Sequence, residues 1–357
     1  MNSYISILLL NYNGKQFNQA CIESILVQTY QHFEILFIDN ASTDGSVAEV
    51  EQLFAKEIKN WKIRVIKNKN NEGFANGNNI WHQLASPQSK YICLLNNDTT
   101  VEKNWLEKLI EVIAKDKTLG AVGSIILDAW YEKQLQQMIV QGKINNLTVL
   151  GEYSIKQIES IYPYCKTTTL SGCCLLYNKS IVNIPFPERY FAYAEDIFLS
   201  FSLLVAGYKM ALCPQSVVHH YGSGSFGKTP SDFKLFYGNR NQIVNFLIFY
   251  KVKTIIKLFP LFLLTQWGHL FINAPQKRFK AKLKARWRII THRDKVQKLR
   301  RCVQRERKLT DSELLKILSK DMSSPEMYYG TFSSRQQKII VEMNNFFHRY
   351  CQLVGIK

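Results

Sequence analysis

The sequence lacks several features that mark common protein classes. No two of its eight cysteines show Cys-x-x-Cys spacing, so a zinc module or a disulfide scaffold is excluded and reduced core thiols are expected. Uninterrupted apolar runs reach only about ten residues, short of the roughly 20 that a membrane-spanning helix needs. No basic leader precedes the short apolar run at the N-terminus, and this predicts a cytoplasmic protein.

Acidic residues are scarce in one part of the chain. The 357 residues include 46 Lys and Arg against 28 Asp and Glu, a formal charge of +18. Residues 251–310 hold 18 of these cations and only two acids, Asp294 and Glu306, which gives +16. The remaining residues are close to neutral, so the excess positive charge describes a C-terminal segment and not the fold.

Apolar runs do occur, and they alternate with stretches of helical periodicity. The pattern predicts strands at 5–10, 33–38, 63–66 and 91–95, separated by helices at 19–28, 42–55 and 75–84. Helices at 105–115 and 195–206 and strands at 120–127, 170–177 and 210–213 are expected further on. Strands joined through helices predict βαβ units and therefore an α/β fold with a parallel sheet.

Polar residues follow three of these strands, as Asn11-Tyr12-Asn13, Asp39-Asn40 and Asn96-Asn97-Asp98. Ligands of parallel sheets bind at the carboxyl ends of the strands, so these residues are expected to meet there. Asp39 is placed to accept a hydrogen bond from a base or ribose, and Asp98 suits a hard divalent cation that also binds phosphate. Either aspartate could instead cap a turn or a helix. A classical NAD-binding Rossmann domain is not expected, because only Gly14 of a Gly-x-Gly-x-x-Gly pattern is present.

Six segments carry a resemblance to a known family: SILLLNYNG (6–14), SILVQTY (24–30), FIDNASTDGS (37–46), NEGFANGNN (71–79), LLNNDT (94–99) and FAYAEDIFLS (191–200). Together they resemble family 2 glycosyltransferases of the GT-A fold, and most closely a subgroup of rhamnosyltransferase-like and galactofuranosyltransferase-like enzymes of bacterial surface polysaccharides. The resemblance implies a Rossmann-like mixed sheet flanked by helices. A basic, mostly helical C-terminal extension would follow the sheet.

The resemblance also implies roles for individual residues. Nucleotide-sugar binding would fall to Asn11, Tyr12, Asn13, Asp39, Asn40, Asn78, Asn79 and Asn97. Asp98 would be the metal ligand for Mg²⁺ or Mn²⁺, although Asn96 stands where many relatives carry the first aspartate of Asp-x-Asp. His219 would complete the metal shell, or else be a structural histidine. Because neighbouring side chains of an extended segment point to opposite sides, at most one of His219 and His220 can face the site.

The acidic pair Glu195-Asp196 precedes a predicted helix. The resemblance implies that Asp196 is the general base, with Glu195 beside it, in an inverting transfer of a sugar from a nucleoside-diphosphate-sugar to a glycan hydroxyl. Two acids can also simply stabilise a helix N-terminus. A non-catalytic nucleotide-sugar binder or membrane scaffold of the same fold is the alternative function. The vicinal pair Cys173-Cys174 is expected to pack within a strand.

Two domains are expected. The catalytic domain would span 1–235, with its nucleotide-sugar half at 1–100 and its acceptor half at 101–235. A helical region that contains the basic segment would span 236–357. Apolar and aromatic residues beside Lys and Arg suit the surface of an anionic membrane. This favours peripheral attachment to the inner face of the cell membrane, near a lipid-linked acceptor. Nucleic-acid binding is not expected but is an alternative for such a basic stripe, and a solvated tail that contacts another subunit is a further one.

Overall fold

The computed structural model describes residues 3–129, 164–182, 186–222, 231–272, 277–320 and 334–356. These residues form two compact units. The first contains the described residues up to Asp196 together with the segment from Lys209 to residue 222, and the second contains Ile197–Tyr208 and the described residues from Ser231 onward.

The first unit is built on a mixed sheet of nine strands in the order β3-β2-β1-β4-β8-β6-β9-β5, with β7 paired to β9. The strands are β1 Tyr4–Asn11, β2 Phe33–Asp39, β3 Ile63–Lys67, β4 Ser89–Asn96, β5 Thr99–Val101, β6 Leu119–Asp128, β7 Cys165–Thr167, β8 Cys174–Asn178 and β9 Lys209–His220. Helices α1 Lys15–Leu26, α2 Ser46–Leu53, α3 Ala55–Lys59, α4 Gly73–Asn79, α5 Trp81–Leu84 and α6 Trp105–Lys115 connect them.

Four neighbouring strands, β3, β2, β1 and β4, run parallel to one another. All seven residues of β2 are buried, as a central strand of a covered parallel sheet requires. The register pairs Asn11 with Asp39 and Leu10 with Asn96. The carboxyl ends of β1, β2 and β4 therefore meet at one edge of the sheet, and the predicted parallel α/β core is confirmed.

The other half of the sheet is mixed. Strand β8 is antiparallel to both β4 and β6, while β9 is parallel to β6 and antiparallel to β5. Helix α6 occupies the predicted range 105–115, and its buried Trp105 donates a hydrogen bond from Nε1 to Ser124 Oγ on β6 (3.0 Å). The mixed sheet flanked by helices is thus as the sequence predicts.

Several predicted boundaries were wrong. Helix α1 begins at Lys15 and not at residue 19, and β9 continues to His220 instead of ending at residue 213. The strand expected from residue 170 begins only at Cys174, because residues 172–173 form a turn. The helix expected over 75–84 is divided into α4 and α5, and α4 ends where both amide atoms of Asn79 bond to the backbone of Phe186.

The second unit is helical, which confirms the predicted helical C-terminal region. Its helices after the Glu195–Val205 helix are Asp232–Phe249, Val252–Ile272, Lys277–Thr291, Arg293–Glu306, Asp311–Ile317 and Ser334–Leu353. Phe249 packs against Phe198 and Phe201, and Phe246 stacks on Phe262 with ring centroids 4.5 Å apart. A buried ion pair joins Arg307 to Asp311. Within the described parts of the chain, no helix combines the length and apolar character needed to cross a membrane.

Candidate active site

The polar residues that follow β1, β2 and β4 are joined by side-chain hydrogen bonds. Asn11 Nδ2 donates to Asp39 Oδ1 (2.8 Å), and Asn97 Nδ2 donates to Asn11 Oδ1 (2.9 Å). Gly14 makes this contact possible, since a Cβ there would lie only 2.2 Å from Asn97 Nδ2. The sequence prediction that these three segments converge is therefore met by the geometry of the sheet edge.

Asn11 is the centre of this network. Its amide group is buried, its Nδ2 also lies 3.0 Å from Ser42 Oγ and 2.9 Å from Ser46 Oγ, and its Oδ1 accepts a second bond from Asn18 Nδ2 (3.0 Å). An amide offers two donors and two acceptor lone pairs, so Asn11 has no capacity left for a ligand. The hydrogen bonds of Asn11 therefore position Asp39 and Asn97.

We expect Asn11→Ala to lower the free energy of unfolding by roughly 2–4 kcal/mol, because it leaves several buried polar groups without their partner. Asn13→Gly is the matched control on the same loop, because Asn13 has a positive φ of 51° that glycine adopts without strain. Asn13 is exposed, and its Oδ1 accepts a single bond from Thr43 N (2.8 Å), so its replacement should cost no more than about 1 kcal/mol. Urea unfolding of both variants measures the difference, and equal effects would show that the network adds little stability.

The other asparagines predicted to border the nucleotide also bond within the protein. Asn40 Nδ2 donates to Gly73 O (2.9 Å) and its Oδ1 accepts from Asn68 Nδ2 (2.8 Å), while Asn78 Nδ2 donates to Phe74 O (3.0 Å). Asn79 bonds to Phe186, as described above. Tyr12 is half-buried beside the exposed Asn13. These contacts hold the loops around Asp39 in place, and direct contacts with a nucleotide stay a prediction.

Asp98 follows the same edge and pairs with a histidine of β9. Its Oδ1 lies 3.2 Å from Nε2 of His220, and both side chains are largely buried. The neighbouring His219 points away, and its Nε2 lies 2.9 Å from Glu102 Oε1 at the surface. His219 was the predicted metal ligand. The alternation of β9 instead brings His220 to Asp98, because β5 pairs Thr99 with His220.

Cys173 completes the surroundings of His220. Burial lowers the pKa of His220, but the adjacent Cys173 and Asp98 outweigh this effect and hold its pKa above the usual value. The Cys173-Cys174 pair was predicted to pack within a strand. Cys174 does lie buried in β8, 3.3 Å from Trp105 Nε1, whereas Cys173 sits in the preceding turn beside His220. Two adjacent cysteines in an apolar run form no pattern that predicts which of them lies in a strand and which in a turn.

The donor chemistry of Asp98 and His220 fits a divalent metal ion, since carboxylate and imidazole are both ligands for such ions. Over the ranges that the structure describes, no group of three or more His, Cys, Asp and Glu side chains could hold a metal by itself. These two residues would therefore need further oxygen ligands from a bound diphosphate and water.

The acidic pair lies at the start of the Glu195–Val205 helix. Gly172 N donates to Asp196 Oδ2 (3.4 Å), and a Cβ at Gly172 would lie 3.5 Å from the Asp196 Cβ. The preceding loop is strained, because three non-glycine residues have positive φ: Phe191 (59°), Tyr193 (70°) and Ala194 (61°). Such conformations persist only where the surroundings enforce them.

Helix α4 supplies that constraint. Ala75 N donates to Phe191 O (3.0 Å), and Gly73 lies so close to Phe191 that a Cβ at Gly73 would come within 2.6 Å of its ring. Because Asn40 bonds to the carbonyl of Gly73, the loop that carries the acidic pair is connected to the Asp39 end of β2.

The two acids differ in their surroundings. Glu195 is buried, and its Oε2 has no hydrogen-bond partner within the described ranges. Burial, together with the adjacent Asp196, raises the pKa of Glu195 to about 8. The raised pKa favours the protonated form of this buried carboxyl. The role of Asp196 as the base of the pair stays a prediction.

Contacts within the first unit thus link all three aspartates. Asp39 reaches Asp98 through Asn11 and Asn97, and Asp98 reaches the turn of Cys173 and Gly172 through His220. Gly172 in turn bonds to Asp196. The candidate nucleotide-binding edge, the candidate metal pair and the candidate base are therefore connected through successive contacts within one unit.

Solved structures define the class to which this fold belongs. The protein GalNAc-T7, crystallised with UDP, GalNAc and Mn²⁺, matches with a TM-score of 0.56 at 16% identity, over 72% of this chain and 49% of that one. Residues 1–349 of TarS from S. aureus match with a TM-score of 0.55 at 13% identity, over 98% of this chain and 91% of that one. The fold is accordingly the GT-A fold that the sequence resemblance implies.

The family follows from sequence. Residues 6–184, half of the chain, match the family model Glycosyl transferase family 2, and the chain belongs to this family. It is 26% identical over 206 residues to the UDP-Glc:alpha-D-GlcNAc-diphosphoundecaprenol beta-1,3-glucosyltransferase WfgD of Escherichia coli, a match that covers 57% of this chain and 71% of that protein.

Other bacterial relatives match over shorter segments. An uncharacterized glycosyltransferase of Haemophilus influenzae is 31% identical over 122 residues, and the glycosyltransferase GlyG of Streptococcus pneumoniae is 30% identical over 124 residues. These matches cover 34% and 35% of this chain, and the chain spans only 36% and 40% of the length of those two relatives.

Proposed function

We propose that this protein is an inverting glycosyltransferase that moves a sugar from a nucleoside-diphosphate-sugar to a hydroxyl of a lipid-linked glycan during bacterial surface-polysaccharide synthesis. The observation that carries the proposal is the linkage of Asp39, Asp98 and Asp196 through short contacts in one GT-A unit. The name of the relative WfgD gives a UDP-sugar donor and a diphosphoundecaprenol acceptor for that enzyme, which supports the same substrate classes here.

The donor would lie along the carboxyl edge of β1, β2 and β4. Asp39 is held by Asn11 and by Ser42 N, which donates to its Oδ2 (3.0 Å). Held in this way, its carboxylate would accept a hydrogen bond from the base or ribose. Tyr12 and Asn13 would border the nucleotide from the rim, while Asn40, Asn78, Asn79 and Asn97 would keep the donor loops in position.

Asp98 and His220 would hold Mn²⁺ or Mg²⁺ at the diphosphate. When bound, such an ion neutralises the charge that develops on the departing diphosphate. The imidazole of His220 must lose its extra proton before its Nε2 can act as a ligand. The Asp98 carboxylate, which pairs with His220 in the protein alone, would then face the ion.

Asp196 would act as the general base. As the acceptor oxygen attacks the anomeric carbon, the bond between that carbon and the diphosphate oxygen breaks, and Asp196 takes the hydroxyl proton. A single displacement inverts the anomeric configuration and needs no covalent sugar-enzyme intermediate. The protonated Glu195 would keep a second negative charge away from this carboxylate.

We further propose that the first unit is the catalytic part of the protein and that the basic helical part attaches it peripherally to the inner face of the cell membrane. The resemblance to rhamnosyltransferase-like and galactofuranosyltransferase-like enzymes supports a place among surface-polysaccharide enzymes. The donor sugar would be carried by uridine, thymidine or guanosine diphosphate.

A thermal-shift screen of UDP, dTDP and GDP, each with and without Mn²⁺, tests the donor site. One nucleotide is expected to raise Tm markedly more than the other two, because a ligand that binds only the folded state stabilises it. The rise should be larger with Mn²⁺. Asp39→Ala should abolish the shift, whereas Asp44→Ala, on the same loop but outside the predicted donor site, should keep it. Absence of any shift with all three nucleotides would contradict the proposal.

A further inference from the structure

The helix Val252–Ile272 presents an apolar face to solvent. Val252, Ile256, Phe259 and Leu263 recur at intervals of three or four residues, and their exposed fractions are 61%, 67%, 48% and 39%. Leu258 and Leu261 on the opposite face are fully buried. Residues at this spacing share one side of a helix, so the four exposed side chains form a continuous apolar stripe.

The helix Lys277–Thr291 carries a second exposed stripe. Leu283, Trp287 and Ile290 are 47%, 66% and 63% exposed. Beside them lies a row of exposed cations at intervals of four residues: Lys280, Lys284 and Arg288. An apolar stripe flanked by a row of cations along one helix is the pattern of a helix that lies in a membrane interface.

The charge of this region indicates which kind of partner can bind there. Residues 251–293 contain 11 Lys and Arg and no Asp or Glu. A second copy of this chain would bring two such cationic surfaces together, and their repulsion disfavours a dimer through this face. A nucleic acid would pair with the cations but leave the stripe of Ile256 and Phe259 in water. An anionic bilayer satisfies both features, because its acyl region takes up the apolar side chains while its head groups meet the cations.

We infer that these two stripes, together with Lys280, Lys284 and Arg288, form a docking surface for an anionic phospholipid bilayer. The inference rests on the peripheral attachment proposed above and assigns the residues that bring it about. In this surface the apolar side chains would enter the membrane interface, and the cations would meet the head groups.

Sedimentation with vesicles of phosphatidylcholine, with and without phosphatidylglycerol, tests the surface. The full chain should bind the anionic vesicles and bind the neutral ones far less. Trp287→Ser and Ile256→Ser should each weaken binding roughly tenfold, as loss of a large apolar contact predicts. Trp61→Ser is the matched control, since Trp61 is 72% exposed but lies in the first unit, and it should bind as the unchanged chain does.

A pair of triple variants separates docking from general attraction of charge. Replacing Lys280, Lys284 and Arg288 by Gln should weaken binding roughly fivefold for each cation removed. Replacing Arg293, Lys295 and Lys298 by Gln removes equal charge from exposed positions of the Arg293–Glu306 helix, which exposes no large apolar side chain. This control should lose much less. Equal losses in the two triple variants would overturn the inference.

Three further outcomes would also contradict it: equal binding to neutral vesicles, a dimer in solution that Ile256→Ser dissociates, or oligonucleotide binding that competes with the vesicles. Nucleotide-dependent thermal shifts of the same variants keep this result separate from the proposed activity. Trp287→Ser should retain the shift while losing the vesicles, whereas failure of the donor site alone would remove the shift and leave vesicle binding intact.

Discussion

Replacing Asp196 by asparagine is expected to reduce sugar transfer or donor hydrolysis by roughly 10²–10⁴-fold, the range that a general base contributes. Asparagine keeps the size of the side chain and can still accept the bond from Gly172 N, so the fold and nucleotide binding should persist. The measurement is turnover of the nucleotide sugar identified by the thermal-shift screen, compared at equal donor occupancy. This variant also separates an enzyme from a non-catalytic binder of the same fold.

Glu195→Gln is the matched control for this prediction. Burial and the adjacent Asp196 raise the pKa of Glu195 to about 8, which favours the protonated form that glutamine imitates. Its effect on turnover should therefore be far smaller than that of Asp196→Asn. If Glu195→Gln abolished turnover while Asp196→Asn preserved it, the base would have to be reassigned to Glu195.

Loss of the metal pair is expected to have the second large effect. Asp98→Asn should lower metal-dependent turnover by roughly 100-fold, because it would remove the proposed charged ligand of the ion. His220→Gln should lower it by roughly tenfold or more, as is typical when one metal contact is lost. Titration with Mn²⁺ at saturating donor should show both variants needing more metal.

The adjacent histidine provides an unusually direct control. His219 differs from His220 by one position in β9 but pairs with the exposed Glu102. Since exposed pairs of this kind contribute little, His219→Gln should change turnover by no more than about twofold. A larger effect of His219→Gln than of His220→Gln would contradict the assignment of His220 and restore the original sequence prediction.

In the buried asparagine network, residues of one sequence motif have different structural environments. The segment from Asn11 to Asn13 matches the family pattern, yet Asn11 is fully occupied by its neighbours while Asn13 is exposed. An identical residue type two positions apart therefore has a different environment. The stabilities of Asn11→Ala and Asn13→Gly will show whether the first of these residues acts mainly through the fold.

The conformation of the strained loop before Asp196 also depends on residues distant in the chain. The sequence around Phe191 identifies the acidic pair through its resemblance to the family. No pattern in that sequence predicts that Phe191, Tyr193 and Ala194 adopt positive φ. That conformation depends on Gly73 and Ala75, which lie more than 100 residues away in the chain and pack directly against Phe191. The direction in which Asp196 points is therefore a long-range property.

The sequence by itself determined the parallel core of β1 to β4, the polar segments at its edge, the family and the placement of the positive charge. Each of these depends on local periodicity, on composition or on motifs that are contiguous in the chain. Tertiary structure alone decided that His220 and not His219 meets Asp98, that Cys173 turns towards His220, and that burial raises the pKa of Glu195. The physical reason is that strand register, burial and the direction of a side chain are set by partners distant in sequence, and a local pattern cannot specify those partners.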